Sequence, residues 1–202
     1  RSGRYFLQRA QKVIASAHDK DAARAYFYGL LCHFTLDSIC HPYIHTAMKE
    51  FNVTHAATET AFDRALLLKD GKDPQHFDPC GHFEVNTRNA AVITPFYTPE
   101  ATVALTEKSI SSMVFYGRVL FTPNKALRRA IDTGLDITFH LDAIADMMMT
   151  TQDVPSCKLC TEHLIELYGK ALELAKTLFP AAQKLLQNEK VSCPELDRTF
   201  DG

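Results

Sequence analysis

No apolar run in this sequence approaches the ~20 residues that a membrane-spanning helix requires, so no transmembrane segment is expected. Positive charge is not in excess either. Lysine and arginine number 22 against 24 aspartates and glutamates, a formal net charge of −2. A phosphate backbone is held mainly by clustered cations, so a nucleic-acid partner is not expected. A glycine-rich phosphate loop is missing, and no local signature marks a Ser-His-Asp or Cys-His nucleophile. The six cysteines, at positions 32, 40, 80, 157, 160 and 193, are scattered rather than dense. That spacing excludes a small disulfide scaffold and favours reduced thiols and a cytoplasmic setting. The opening stretch, RSGRYFLQRAQKVIASA, is amphipathic and lacks the continuous apolar segment of a signal peptide. A signal upstream of Arg1 stays open. There is no internal repeat, no low-complexity tract and little alternation of period two.

What is present is helical patterning. With 202 residues, 46% of them hydrophobic, the chain can bury a real core. The expected class is all-α, a multi-helix bundle. One helical domain over 1–202 is expected, with a metal-binding core at 20–70, a long loop at 71–99 with room for one helical turn, and C-terminal helices at 100–189. Phe6, Leu7, Ala10, Val13, Ile14 and Ala17 recur at helical spacing. Asp19 or Asp21 can cap a second helix, AARAYFYGLLCHFTLDSIC, apolar nearly all round and therefore expected to be buried. Pro42 is expected to end it. Thr54 is a fitting N-cap for a third helix, HAATETAFDRALLLKD, and Gly71 a stop. Further helices are expected from Pro99 to Val119, from Pro123 through NKALRRAIDTGLDITFHLDAIADMMM with a weak point near Gly134, and from about Cys160 to Asn188 with a kink or a restart at Pro180. The tail after Lys190 reads as loosely ordered.

Chemistry concentrates between His33 and Glu59. His33 and Asp37 stand four apart, His41 follows four later, and His55 and Glu59 are again four apart. Residues at i and i+4 share a helix face. Two antiparallel helices with a short connection would bring both pairs together. Imidazole and carboxylate both suit zinc, and a catalytic zinc usually keeps three protein ligands and one open position. His41, His55 and Glu59 would supply that set. His33 and Asp37 could serve a second ion, with Asp37 able to bridge. The plainer reading makes His33 and Asp37 a satisfied core pair and His55 and Glu59 a solvated face. Against it, a buried carboxylate needs a partner.

The strings LLCHFTLDSICHPYI and THAATETAFDR resemble the bacterial zinc-dependent phospholipase C family, closest to its uncharacterised branch; the resemblance covers residues 25 to 70. It implies an all-helical fold related to the P1-type nucleases and a site of up to three zinc ions. It implies His33, Asp37, His41, His55 and Glu59 as metal ligands, Asp37 and Glu59 as catalytic carboxylates, and a phospholipid or other phosphodiester as substrate. The interval from Asp37 to His41 is shorter than in the secreted phospholipases. The family's early ligands precede the first matched histidine, where this chain offers only His18, Asp19 and Asp21. The chain is therefore expected to start after the family's N-terminal segment, leaving His33 and Asp37 as a half-site. Two functions follow: a zinc-dependent phosphodiester hydrolase, whole or incomplete, or a non-catalytic helical interaction module. The sequence sets no oligomeric state.

Other residues read more plainly. Cys157, Cys160 and His163 have part of a zinc-site spacing, but two thiols at a helix start is the better reading. His18 and Asp19 form an adjacent pair like that of helical metal phosphohydrolases, without the further ligands those need. His76 and His82 are expected to be solvated in the long loop. Cys32 and Cys40 are expected inside the helix pair, and Met147, Met148 and Met149 in the core. Asp63, one turn past Glu59, could orient a ligand histidine, and Arg64 could make a surface salt bridge.

Overall fold

The computed structural model describes residues 2–138 and 146–202. It is helical, with no strand among the described residues. Among the described residues seven α-helices run in order: α1 (Gly3–Ser16), α2 (Lys20–Glu50), α3 (His55–Lys69), α4 (Thr87–Ile93), α5 (Val103–Leu120), α6 (Lys125–Thr138) and α7 (Lys158–Leu186). Short 3₁₀ turns cover Thr94–Phe96, Pro155–Cys157 and Pro194–Asp197. The all-α expectation is met. Part of the expected continuation of α6, residues 139–145, lies outside the described residues.

The chain groups into two compact units, residues 1–42, 84–111 and 167–202 in the first and 43–83 and 112–166 in the second. The first is built on α1, the start of α2 and the end of α7. Leu7, Ala10 and Ile14 of α1 meet Ala23, Phe27, Leu31 and Phe34 of α2 and Leu178, Ala181 and Ala182 of α7. Aromatic rings fill the seams. Phe6 stacks on Phe27 at 5.7 Å, and Tyr28 stacks on Phe179 at 5.5 Å. Asp19 starts α2, its Oδ1 accepting the Ala22 N–H at 3.0 Å. Its other oxygen accepts from Arg88 at 2.9 Å. Asp19 thus serves as a cap and not as half of a metal dyad.

Four expectations change. Helix α2 runs through Pro42 instead of stopping there. An interior proline removes a hydrogen bond and crowds the carbonyl four residues back, costing about 3 kcal/mol. Beyond it Ile44 and Ala47 are fully buried. A buried isoleucine alone contributes about 1.5–3 kcal/mol, so packing offsets the break. Secondly, α2 is not buried all round: Cys32 and His33 are exposed, opposite the Phe27–Leu31–Phe34 face. Cys40 is buried, so only one of that cysteine pair packs inside. Thirdly, the 71–99 connection contains α4, capped by Asn86, whose side chain accepts the Asn89 N–H at 2.8 Å. Lastly, the tail is not loose: Cys193 and Leu196 are in the core. Pro180 is likewise carried inside α7, next to buried Leu178, Ala181 and Ala182.

The second unit contains the last turns of α2, all of α3 and the start of α7. Thr54 caps α3 as expected, its Oγ1 accepting the Ala57 N–H at 3.0 Å and donating to Asp146 at 2.6 Å. Thr60 donates to the Asp146 carbonyl at 2.9 Å. Arg64 reaches the Thr150 carbonyl at 3.3 Å and pairs with Asp153. These bonds anchor residues 146–153 on α3, where Met148 and Met149 are buried and Met147 is exposed. Gly71, at φ +70, ends α3 in a left-handed conformation that glycine tolerates best. Because Thr54 holds both a helix start and Asp146, Thr54→Ala is expected to destabilise the protein by about 1–2 kcal/mol. Urea unfolding measures it, and a loss within the ordinary noise of surface substitutions, about 0.5 kcal/mol, would refute the cap's importance.

Candidate metal centre

Positions 33, 37 and 41 form one stripe along α2 because the helix does not end before them. His33 Nε2 lies 3.1 Å from Asp37 Oδ2. His41 Nε2 lies 4.0 Å from the same oxygen. Asp37 is thus flanked by two imidazoles, and its side chain is only 13% exposed. His33 is 62% exposed, so the pair is not a sealed core pair.

Residues 51–54 then reverse the chain, with Asn52 at φ 51, a left-handed conformation that asparagine adopts more readily than most residues. Thr54 places His55 in the first turn of α3 and Glu59 one turn later. Their Nε2 and Oε1 atoms are 2.9 Å apart. Ligand atoms of His41, His55 and Glu59 all lie within 4.8 Å of one another. Zinc at 2.0–2.2 Å from tetrahedral donors leaves those donors about 3.3–3.6 Å apart. The remaining adjustment, about an ångström, is within reach of side-chain torsions. Two imidazoles and one carboxylate are a known donor set for a zinc ion with an open fourth position. The residues present fit the ion.

A family model for zinc-dependent phospholipase C matches residues 1–101. The chain belongs to this family. The matched half contains His33, Asp37, His41, His55 and Glu59, and the helical fold agrees with family membership. Neither a curated protein nor a solved structure matches the chain. No helix among the described residues is long and apolar enough to cross a membrane.

Two residues near this stripe were not singled out from the sequence. His45 continues the spacing of four beyond His41, and its ring lies 6.2 Å from that of His55. The regular interval was the available signal, hidden by the expectation that Pro42 ends the helix. Asp201 Oδ1 lies 3.5 Å from His41 Nδ1. No local pattern announces a partner so distant in sequence.

The other candidates play structural roles. Cys157 and Cys160 are fully buried. Desolvation raises both thiols, which disfavours the thiolate that metal binding or redox chemistry needs. His163 packs on Tyr43 at 4.3 Å and faces Glu166 at 3.5 Å. His76 pairs with Asp73 at 2.7 Å, and both it and His82 are exposed. Arg64 makes the salt bridge expected of it, to Asp153.

Asp63 has a different property. It keeps access to solvent, yet desolvation by nearby protein, and then the Glu59 charge, raise its carboxyl from 3.8 to about 6. The folded state therefore holds this proton more tightly than the unfolded chain. The stabilisation is complete below the unfolded value and is lost as pH rises through the folded one. In metal-free protein, Asp63→Asn is expected to raise the melting temperature at pH 7.5 and leave it unchanged at about pH 3, below the unfolded value. An equal change at both pH values would contradict this origin.

Proposed function

We propose that this protein is a zinc-dependent hydrolase of phosphodiesters, with phospholipids as the substrate class. The observation that carries the reading is the convergence of His41, His55 and Glu59 from two consecutive helices within the family-matched half of the chain. These three side chains would hold a zinc ion and leave one position open. Bound there, zinc supplies Lewis acidity toward a phosphoryl oxygen and makes water more acidic near neutral pH.

The chain's own residues supply the rest. His55 and Glu59, one turn apart, present their donor atoms on the same side of α3. Asp37 stands at the edge of this set, 4.0 Å from His41, and its carboxylate would accept a proton during attack on phosphorus. His33 holds that carboxylate from the other side at 3.1 Å. His33 and Asp37 also offer two ligands toward a second cation, so the proposed stoichiometry is one zinc at the triad and further zinc only where more ligands join. Glu59 serves as ligand and as the negative charge that balances the ion.

Zinc titrated into metal-free protein tests the reading. At a hundredfold excess over Kd, binding to the folded state contributes about 2.7 kcal/mol. For a chain of this size that raises the melting temperature by about 5–10 °C. Zinc-loaded protein should release the phosphorylated headgroup from phosphatidylcholine or phosphatidylethanolamine vesicles, and Asp37→Asn should abolish release while zinc stays bound. No thermal shift and no headgroup release would instead support a non-catalytic helical module.

A further inference from the structure

The last ten residues are tied across the first unit. Cys193 and Leu196 are buried in its core. The Arg4 guanidinium holds Asp197 through Nε at 2.6 Å and Nη2 at 3.1 Å, and also donates to the Cys193 carbonyl at 3.0 Å. The Gly3 N–H donates to the Arg198 carbonyl at 2.9 Å. A tight turn follows. Thr199 and Gly202 exchange backbone hydrogen bonds at 3.4 and 3.3 Å. Thr199 Oγ1 donates to the Gly202 carbonyl at 3.0 Å and accepts the Asp201 N–H at 3.1 Å.

This turn aims two side chains at the stripe on α2. Phe200 meets Phe34 edge-on at 5.2 Å and lies 5.6 Å from the His33 ring. Asp201 Oδ1 then stands 3.5 Å from Nδ1 of His41. A formed N–H···O bond is about 2.9 Å, and Asp201, 72% exposed, has the rotational freedom to close that gap.

We propose that Asp201 is a positioning residue for the metal centre: its carboxylate accepts a hydrogen bond from His41 Nδ1–H and so reserves Nε2 for the metal. The proposal rests on the zinc reading of His41, His55 and Glu59. The two ring nitrogens of His41 face different partners, Nδ1 toward Asp201 and Nε2 toward Asp37. A neutral imidazole carries one proton, and the nitrogen that carries it cannot ligate. An acceptor at Nδ1 selects the tautomer with a free lone pair on Nε2. It also fixes the ring plane and increases the donor strength of the ligating nitrogen, effects whose loss typically lowers metal affinity 10–100-fold.

The test combines zinc affinity with a tautomer measurement. Asp201 is exposed, so Asp201→Ala is expected to fold like the parent, which a melting curve verifies. Competition with a chromophoric chelator should show zinc bound about 10–100-fold more weakly in that variant. Asp201→Asn, which keeps an acceptor but not the charge, should recover part of the loss. In metal-free protein, nitrogen NMR of His41, assigned with His41→Gln, should show the proton on Nδ1 in the parent and a shift toward Nε2 in Asp201→Ala. His55→Ala should weaken zinc binding and leave the His41 tautomer in place. If His55→Ala binds zinc poorly while Asp201→Ala keeps either parental affinity or the parental tautomer, the positioning role is overturned and the metal centre stands. If zinc affinity is unchanged in both variants, the metal centre itself is wrong, and the role of Asp201 falls with it.

Discussion

Replacing His55 with alanine is expected to weaken zinc binding by two to three orders of magnitude. A tetrahedral structural zinc site gives about 10–16 kcal/mol over four ligands, or roughly 2.5–4 kcal/mol for each. Each 1.4 kcal/mol is a factor of ten, which sets the range. The proposed site has three protein donors, so removal of one would leave His41 and Glu59 alone with water. The His55 side chain is 37% exposed, and the cap of α3 is provided by Thr54. A melting curve of the metal-free variant should therefore match that of the parent, while chelator competition and metal content separate them. Glu59→Ala should behave alike, because Glu59 is 48% exposed and contributes through its carboxylate. Zinc affinity within about threefold of the parent in both variants would remove His55 and Glu59 from the site.

Phe34→Ala is expected to destabilise the protein by about 3–5 kcal/mol, the range for a fully buried phenylalanine. For a chain of this length that lowers the melting temperature by roughly 10 °C. Phe34 has no exposed surface and belongs to the core of the first unit. The surroundings are poorly placed to collapse into the space. On one side is Gly3, where an added Cβ would come within 2.6 Å of the Phe34 ring, and on another is the edge-on ring of Phe200. A control isolates burial from aromatic chemistry. Phe115 on α5 is 63% exposed, and Phe115→Ala should change stability by no more than about 0.5 kcal/mol. Thermal and urea unfolding followed by circular dichroism would measure both. Similar losses in the two variants would show that the Phe34 environment is not the rigid core described here.

Much of the local architecture could be read directly from residue patterns. The caps Asp19 and Thr54, the stop at Gly71 and the apolar face of α1 depend on neighbours a few positions away, and each behaves as those neighbours require. The pairing of His33 with Asp37 and of His55 with Glu59 is likewise a consequence of helical periodicity. Failures occurred where distant packing outweighed a local rule. Pro42 breaks a helix in isolation, but buried Ile44 and Ala47 carry α2 past it. The tail after Lys190 is polar enough to read as loose, yet Leu196 is anchored in a core assembled from α1, α2 and α7. His33 looked buried because its neighbours are apolar, but the face it occupies is turned to solvent.

By itself, the sequence determined the helical class, the starts of the main helices and the five metal-ligand candidates, because these follow from spacing along one chain and from the chemistry of each side chain. Only the tertiary structure decided that α2 continues beyond Pro42, which of the paired residues converge with His41, and that Asp201 approaches the far nitrogen of that ring. Those outcomes depend on which surfaces are buried together, and burial is a sum over residues far apart in sequence. No short window contains it.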